Sequence, residues 1–144
     1  MSAISLVPTR RELLIAGTAA VGATFGGGLR LRASPAEQPG TQRTDLLQRD
    51  LSVSGREVVQ VRVDFDPGAI AAKHSHPGEE IAYVLEGVLE YHLEGGQPIT
   101  LRVGETLFIP AGVAHAAKNV GTGKASELAT YIVAKGSPLL MPVD

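Results

Sequence analysis

The chain is 144 residues long, 44% apolar and 19% charged, with a formal net charge of −2, which fits one globular domain and excludes a disordered or collagen-like chain. It has no cysteine, so a disulfide framework and a thiolate metal site are both excluded; any metal must be held by nitrogen and oxygen donors. No basic stripe is available for a nucleic-acid backbone, so nucleic acid is not expected as a partner.

The charge is divided unevenly along the chain. Residues 1–36 carry four arginines against Glu12, a net of +3, and the remainder carries 9 basic and 14 acidic residues, a net of −5. Within the first part, "TRRELLIAGTAAVGATFGGGL" sets Arg10 and Arg11 directly before an uncharged stretch, Leu13 to Leu29, followed by Arg30, Arg32 and then Ser34, Pro35 and Ala36. This arrangement resembles a twin-arginine export signal, with cleavage expected after Ala36. Five glycines in the 17-residue stretch argue against a core helix or a membrane anchor, since each costs a helix interior about 1 kcal/mol relative to alanine. An exported protein, periplasmic or extracellular, is therefore expected, meeting the membrane only through its signal. Residues 37–45 read as a polar linker and 46–144 as the folded domain.

From Val58 the pattern becomes two-fold. Val59, Val61, Val63 and Phe65 alternate with Gln60, Arg62 and Asp64, the signature of a half-buried strand. Leu89, Tyr91 and Leu93 alternate likewise with Glu90, His92 and Glu94, and Ile99, Leu101 and Val103 with Thr100 and Arg102. Turn signals punctuate these runs: "DPGA" at 66–69, "EGG" at 94–96, "VGE" at 103–105 and "PAG" at 110–112. Strands at this spacing, with 17 glycines, 9 prolines and no long helical period after the leader, predict an all-β fold of the sandwich or barrel kind. Exposed strand edges favour barrel closure or a homodimer, and the apolar tail "SPLLMPV" is expected to cover an opening or a partner surface.

Two of the four histidines and two glutamates fall within "HSHPGEE", residues 74–80. Residues two apart on a strand share a face, so His74 and His76 can offer imidazoles to one ion, and Glu80 at the start of "EIAYVLEG" can reach the same point from an adjacent strand. His92 shares the phase of Glu90 and Glu94 and is expected to face solvent, whereas His115 follows the apolar strand and turn "LFIPAGVAH".

These residues resemble the two motifs of the cupins. Gly68, His74, His76, Glu80 and Gly87 match the first, and Gly104, Pro110, Gly112, His115 and Asn119 match the second. Glu79 gives a shorter gap after His76 than the family's spacing and is left outside. The resemblance implies a small six- to eight-stranded jelly-roll barrel, or double-stranded β-helix, with His74, His76, Glu80 and His115 binding one divalent transition metal ion. Gly87, Gly104 and Gly112 are read as turn glycines and Pro110 as a corner.

Three imidazoles and one carboxylate suit iron, manganese, nickel, copper, cobalt or zinc without choosing among them. Positions left open on such an ion accommodate a chelating small-molecule substrate or dioxygen. Ala82, Val84 and Ala117 share the inward phase, whereas Tyr83 and Lys118 face out, predicting a small, mostly apolar pocket in which no general base is evident. The expected function is a metal-dependent, oxygenase-type enzyme. The alternatives are a metal-dependent isomerase or lyase acting on an oxo-acid or sugar-derived acid, and a non-catalytic binding module.

Overall fold

The alternation read at 58–65 is realised as β2, Arg56–Phe65, whose residues Val59, Val61 and Phe65 are buried. The computed structural model describes residues 38–143; the stretch read as an export signal lies outside them. A strand, β1, already occupies Thr41–Asp50 and pairs antiparallel with β2, so the stretch read as linker is partly strand. Its sequence shows no alternation because β1 is an exposed edge strand whose side chains are mostly polar.

The remaining strands are β3 (Ile70–Ser75), β4 (Glu79–Glu86), β5 (Val88–Leu93), β6 (Ile99–Arg102), β7 (Thr106–Ile109), β8 (His115–Asn119), β9 (Ala125–Ala134) and β10 (Met141–Pro142). They form two five-stranded antiparallel sheets, ordered β1-β2-β9-β4-β7 and β10-β3-β8-β5-β6. The chain crosses repeatedly from one sheet to the other, which is the all-β jelly-roll expected, with ten strands among the described residues rather than six to eight. Each sheet turns one face inward. One core cluster packs Phe65, Val84, Leu89, Tyr91 and Ile109 between the sheets, and a second gathers Val61, Tyr131, Val133 and Leu139.

Two details depart from the expected alternation. Ile99 and Val103 were expected inside with Leu101, but β6 is a short edge strand ending at Arg102, and both flanking residues are exposed while Leu101 is buried. The central strand β9 carries no clean alternation, because Leu128 and Ile132 place apolar side chains on its outward face beside the buried Ala129, Tyr131 and Val133, which blurs the two-fold signal.

The turn from β3 to β4 lies hard against β9. A Cβ on Gly78 would come 2.1 Å from the carbonyl oxygen of Ile132, whereas one on Gly68 would meet nothing within 4 Å, although Gly68 has a φ of +77°. Gly68→Ala is therefore expected to cost about 1–2 kcal/mol of backbone strain, and Gly78→Ala about 3 kcal/mol, because backbone must move apart. Urea unfolding of the two variants checks the order; equal losses would mean that the turn is not clamped at Gly78.

Candidate metal centre

Strand β3 does not alternate without interruption. Its register with β8 pairs Ala71 with Ala117 and His74 with His115, so three steps on β3 match two on β8. This bulge shifts the phase of β3 by one residue, and Ala71 and His74 consequently line the same cavity. His115, directly opposite at the start of β8, brings its ring centroid to 4.5 Å from that of His74. His76, one residue past β3, lies 4.9 Å from His74 and 5.2 Å from His115 by the same measure. Glu80 arrives from the other sheet, on β4, with Oε2 3.1 Å from Nε2 of both His76 and His115. None of the four is more than 8% exposed. Glu79 is only half-buried, and His92 faces solvent as expected, its Nε2 2.7 Å from Glu90.

The outer nitrogen of each clustered ring is tied to the backbone. Nδ1 of His74 donates to the carbonyl of Ala72 at 2.6 Å, that of His76 to Leu139 at 2.5 Å and that of His115 to Val113 at 3.0 Å. A carbonyl can only accept, so the proton of each neutral ring sits on Nδ1 and Nε2 is left with a lone pair. Nε2 of His76 and Oε2 of Glu80 are in contact yet have no aligned hydrogen bond. Two electron-rich atoms buried this close repel unless a positive charge lies between them, and a proton or a metal cation can supply it. Ligand atoms of His74, His76 and His115 all lie within 4.8 Å of one another, the reach of one shared ion. The residues therefore fit a metal.

The same crowding sets proton affinities. Burial lowers His74 to about 4 against the opposing bond to Ala72. Burial would raise Glu80, but its contacts with His115 and His76 outweigh this and hold it at about 2. Burial lowers His115, yet the Glu80 carboxylate carries it upward overall.

A cavity of about 80 Å³ opens beside the cluster, bounded by His74, Glu80 and His115 and by residues the sequence reading passed over. Tyr131 and Glu127 line it from β9. Tyr131 sits opposite Glu80 across the β4–β9 ladder, its ring 4.5 Å from that of His76. Glu127 is buried and accepts a hydrogen bond from the Tyr91 hydroxyl of the facing sheet. Burial, and then the charge of Glu80, push the Glu127 carboxyl up to about 8. Gln38, Thr41 and Arg43 add polar wall from the start of the domain. Val63, Ala71, Ala117 and Leu140 supply the apolar part, while Ala82 and Val84, expected in the pocket, are packed into the core. The cavity surface is thus mostly apolar, as expected, with the polar groups of Gln38, Thr41, Arg43 and Glu127 set into it.

The apolar tail closes the site. β10 pairs with β3 at His74 and Ser75, Leu139 is buried and binds His76 through its carbonyl, and Leu140 lines the cavity. Asn119 is structural: its Nδ2 faces the carbonyls of Phe65, Asp66 and Gly123 at 3.3, 3.1 and 2.8 Å, and its Oδ1 accepts from Gly121 at 2.9 Å.

A buried three-histidine cluster between the sheets of a jelly roll makes this fold a β-barrel with a candidate metal centre. The chain belongs to the cupins: the Cupin_2 family, described as "Cupin domain", matches residues 61–133. Over 75 residues it is 36% identical to germin-like protein subfamily 2 member 2 of Arabidopsis thaliana, covering 49% of this chain and 34% of that protein. Over 78 residues it is 37% identical to oxalate oxidase GF-2.8 of Triticum aestivum, covering 49% and 35%. A solved oxalate oxidase structure superimposes with a TM-score of 0.60 at 29% identity, over 78% of this chain and 60% of that one. The chain spans about a third of the length of these two curated relatives.

Two outcomes are expected. Ending the chain at Ser137 removes the carbonyl that orients His76 and should weaken metal affinity about 10–100-fold, read by competition with a chelator; unchanged affinity would show that the tail does not orient the ring. In metal-free protein, native Glu127 holds its proton to about pH 8 while the unfolded chain releases it near 4.5, so this residue's contribution makes stability fall as pH rises between those values. Glu127→Gln should cancel that component, so that the variant gains on wild type between pH 5 and pH 8 in chemical unfolding. A constant difference would place the shift elsewhere.

Proposed function

We propose that the protein is a metal-dependent cupin enzyme of oxygenase type, acting on a small chelating organic acid. The observation that carries this reading is the convergence of His74, His76, His115 and Glu80 beside a cavity, with Nε2 of His76 and Oε2 of Glu80 lacking hydrogen-bond partners. These four residues would hold one divalent transition metal ion, which when bound supplies Lewis acidity toward a chelating substrate and a place for dioxygen beside it. Similarity to an oxalate oxidase supports oxidative chemistry on an oxygen-rich acid.

The protein's own groups then have defined tasks. The backbone carbonyls of Ala72, Leu139 and Val113 keep the three rings aimed inward. Tyr131 and Leu140 exclude water, and the cavity is far below the roughly 300–1,000 Å³ of drug-sized sites, so the substrate is short. Glu127, hydrogen-bonded to Tyr91, can hold or release a proton at the cavity wall. That last observation favours a second reading, metal-assisted isomerisation or elimination, because such chemistry needs a protein group that takes a proton and returns it.

The export reading of residues 1–36 places this activity outside the cytoplasm. A homodimer is the assembly we favour, because Ile81, Tyr83 and Phe108 leave apolar side chains exposed on neighbouring strands β4 and β7.

Metal at a hundredfold excess over its Kd should stabilise the protein by about 2.7 kcal/mol; His76→Ala and His115→Ala should abolish that gain. With metal-loaded protein and a panel of short hydroxy-, oxo- and dicarboxylic acids, oxygen consumption that tracks substrate loss supports the oxygenase. Turnover without oxygen, accompanied by solvent deuterium in the product, would replace it with the isomerase or lyase. Tight binding of one acid with no turnover would leave a binding module.

A further inference from the structure

Position 43 sits on the inner phase of β1, and the registers place Arg43 beside Val63, Val63 beside Glu127, and Glu127 beside Val84, one row across the sheet. Adjacent strands lie about 4.8 Å apart, so the Arg43 side chain needs to reach over only one neighbour, Val63, to stand at the cavity that both residues line together with His74, Glu80 and His115. Tyr131, which also lines the cavity, feels the Arg43 charge, which acts downward on its hydroxyl against the larger upward effect of burial.

The guanidinium is only partly satisfied. Nε and Nη2 both turn to a single oxygen, Oδ1 of Asp45, each at 2.8 Å, and the Arg43 side chain is 22% exposed against 65% for Asp45. Among the described residues no hydrogen bond or ion pair engages Nη1. A guanidinium presents five donors in a fixed fork, suited to two-point binding of a carboxylate. Asp45 holds one edge of that fork and fixes its plane, leaving the other available. Of the other cationic side chains, Arg62, Lys73, Lys124 and Lys135 pair with acidic residues on the surface and Arg49 with the Gln48 carbonyl, and none of these five lines the cavity.

We propose that Arg43 is the substrate-specificity residue of this site, binding a carboxylate at the end of the substrate remote from the metal-chelating oxygens. This rests on the reading that the cavity is the substrate site of a metal centre, and it narrows the substrate to a short diacid or oxo-diacid. One partly neutralised guanidinium balances one carboxylate. A phosphate, with up to two charges and a larger headgroup, is under-compensated at this end of the cavity, since the charged group beside the guanidinium is the Asp45 carboxylate, which already neutralises part of it.

The test uses metal-loaded full-length protein and calorimetric binding of 2-oxoglutarate, oxaloacetate and acetylacetone, the last a chelator without a carboxylate. Arg43→Gln is expected to weaken the two oxo-diacids at least about tenfold and to leave acetylacetone within about twofold. Arg43→Lys should restore only part of the loss. Asp45→Asn, which removes the competing anion but keeps the guanidinium, should tighten the diacids, and this opposite sign separates recognition from damage to the fold. If wild type binds acetylacetone and a diacid, and Arg43→Gln leaves both affinities unchanged, Arg43 is not the anchor while the metal site stands. If metal-loaded wild type binds none of the three, the cavity is not a substrate site and both readings fall.

Discussion

A carboxylate buried to within 3% of full enclosure, 3.1 Å from the ring nitrogens of two histidines whose protons are drawn off to backbone carbonyls, is the constraint around which this molecule is arranged. Burying one ionised carboxylate without compensation costs several kcal/mol, and the cost falls only when a positive charge shares the space. In the metal-free protein that charge must be a proton, taken up by a ring whose neighbours already crowd it. A divalent ion meets the same demand and also satisfies His74, which burial disposes against protonation. The Nδ1 bonds make the choice sharper, because an imidazole held in that tautomer has only a lone pair to offer the centre.

The fold delivers these donors by division of labour between the sheets. β3 and β8 bring His74 and His115 face to face, and β4 brings Glu80 across from the other sheet. A cluster built from both layers depends on the distance between them, and that distance is set by the core residues below, Phe65, Leu89, Tyr91 and Ile109 among them. Tyr91 serves twice. Its ring fills core and its hydroxyl reaches Glu127, so a buried polar pair ties the sheets together at the floor of the cavity, and the low dielectric there strengthens that bond.

How much of this was legible depended on which signal each residue gave. The donors stood out because histidine is scarce in this chain and because the motif spacings around 74–80 and 115 report strand phase. β2 and β5 could be read because polar and apolar residues alternate cleanly there. Glu127 and Tyr131 were hidden for the opposite reason: on β9, Leu128 and Ile132 make the outward face as apolar as the inward one, and no period separates them. The bulge between Ala71 and His74 leaves no local mark in "IAAKHSH", since the extra residue is recognisable only against the partner strand. Arg43 and Thr41 looked like linker because an edge strand with one solvated face buries too little to show alternation.

The donors and the walls come from different parts of the chain, and this separation has a consequence for how such a site can change. All four candidate ligands lie between residues 74 and 115, whereas the polar wall is supplied by Gln38, Thr41 and Arg43 before them and by Glu127 and Tyr131 after. Gln38 is itself fastened to the bulge, its Oε1 accepting from the Ala72 amide at 2.5 Å, so the same short segment of β3 orients a ligand and anchors the start of the wall. Substitutions on β1 or β9 can therefore alter which molecule fits without touching the ion's donors, while any change at the bulge disturbs both at once. Loss of metal and loss of selectivity should accordingly separate for residues 41, 43 and 127 and coincide for residues 72–74, which is the division expected if the barrel is a fixed metal cradle whose chemistry is chosen by the strands that close it.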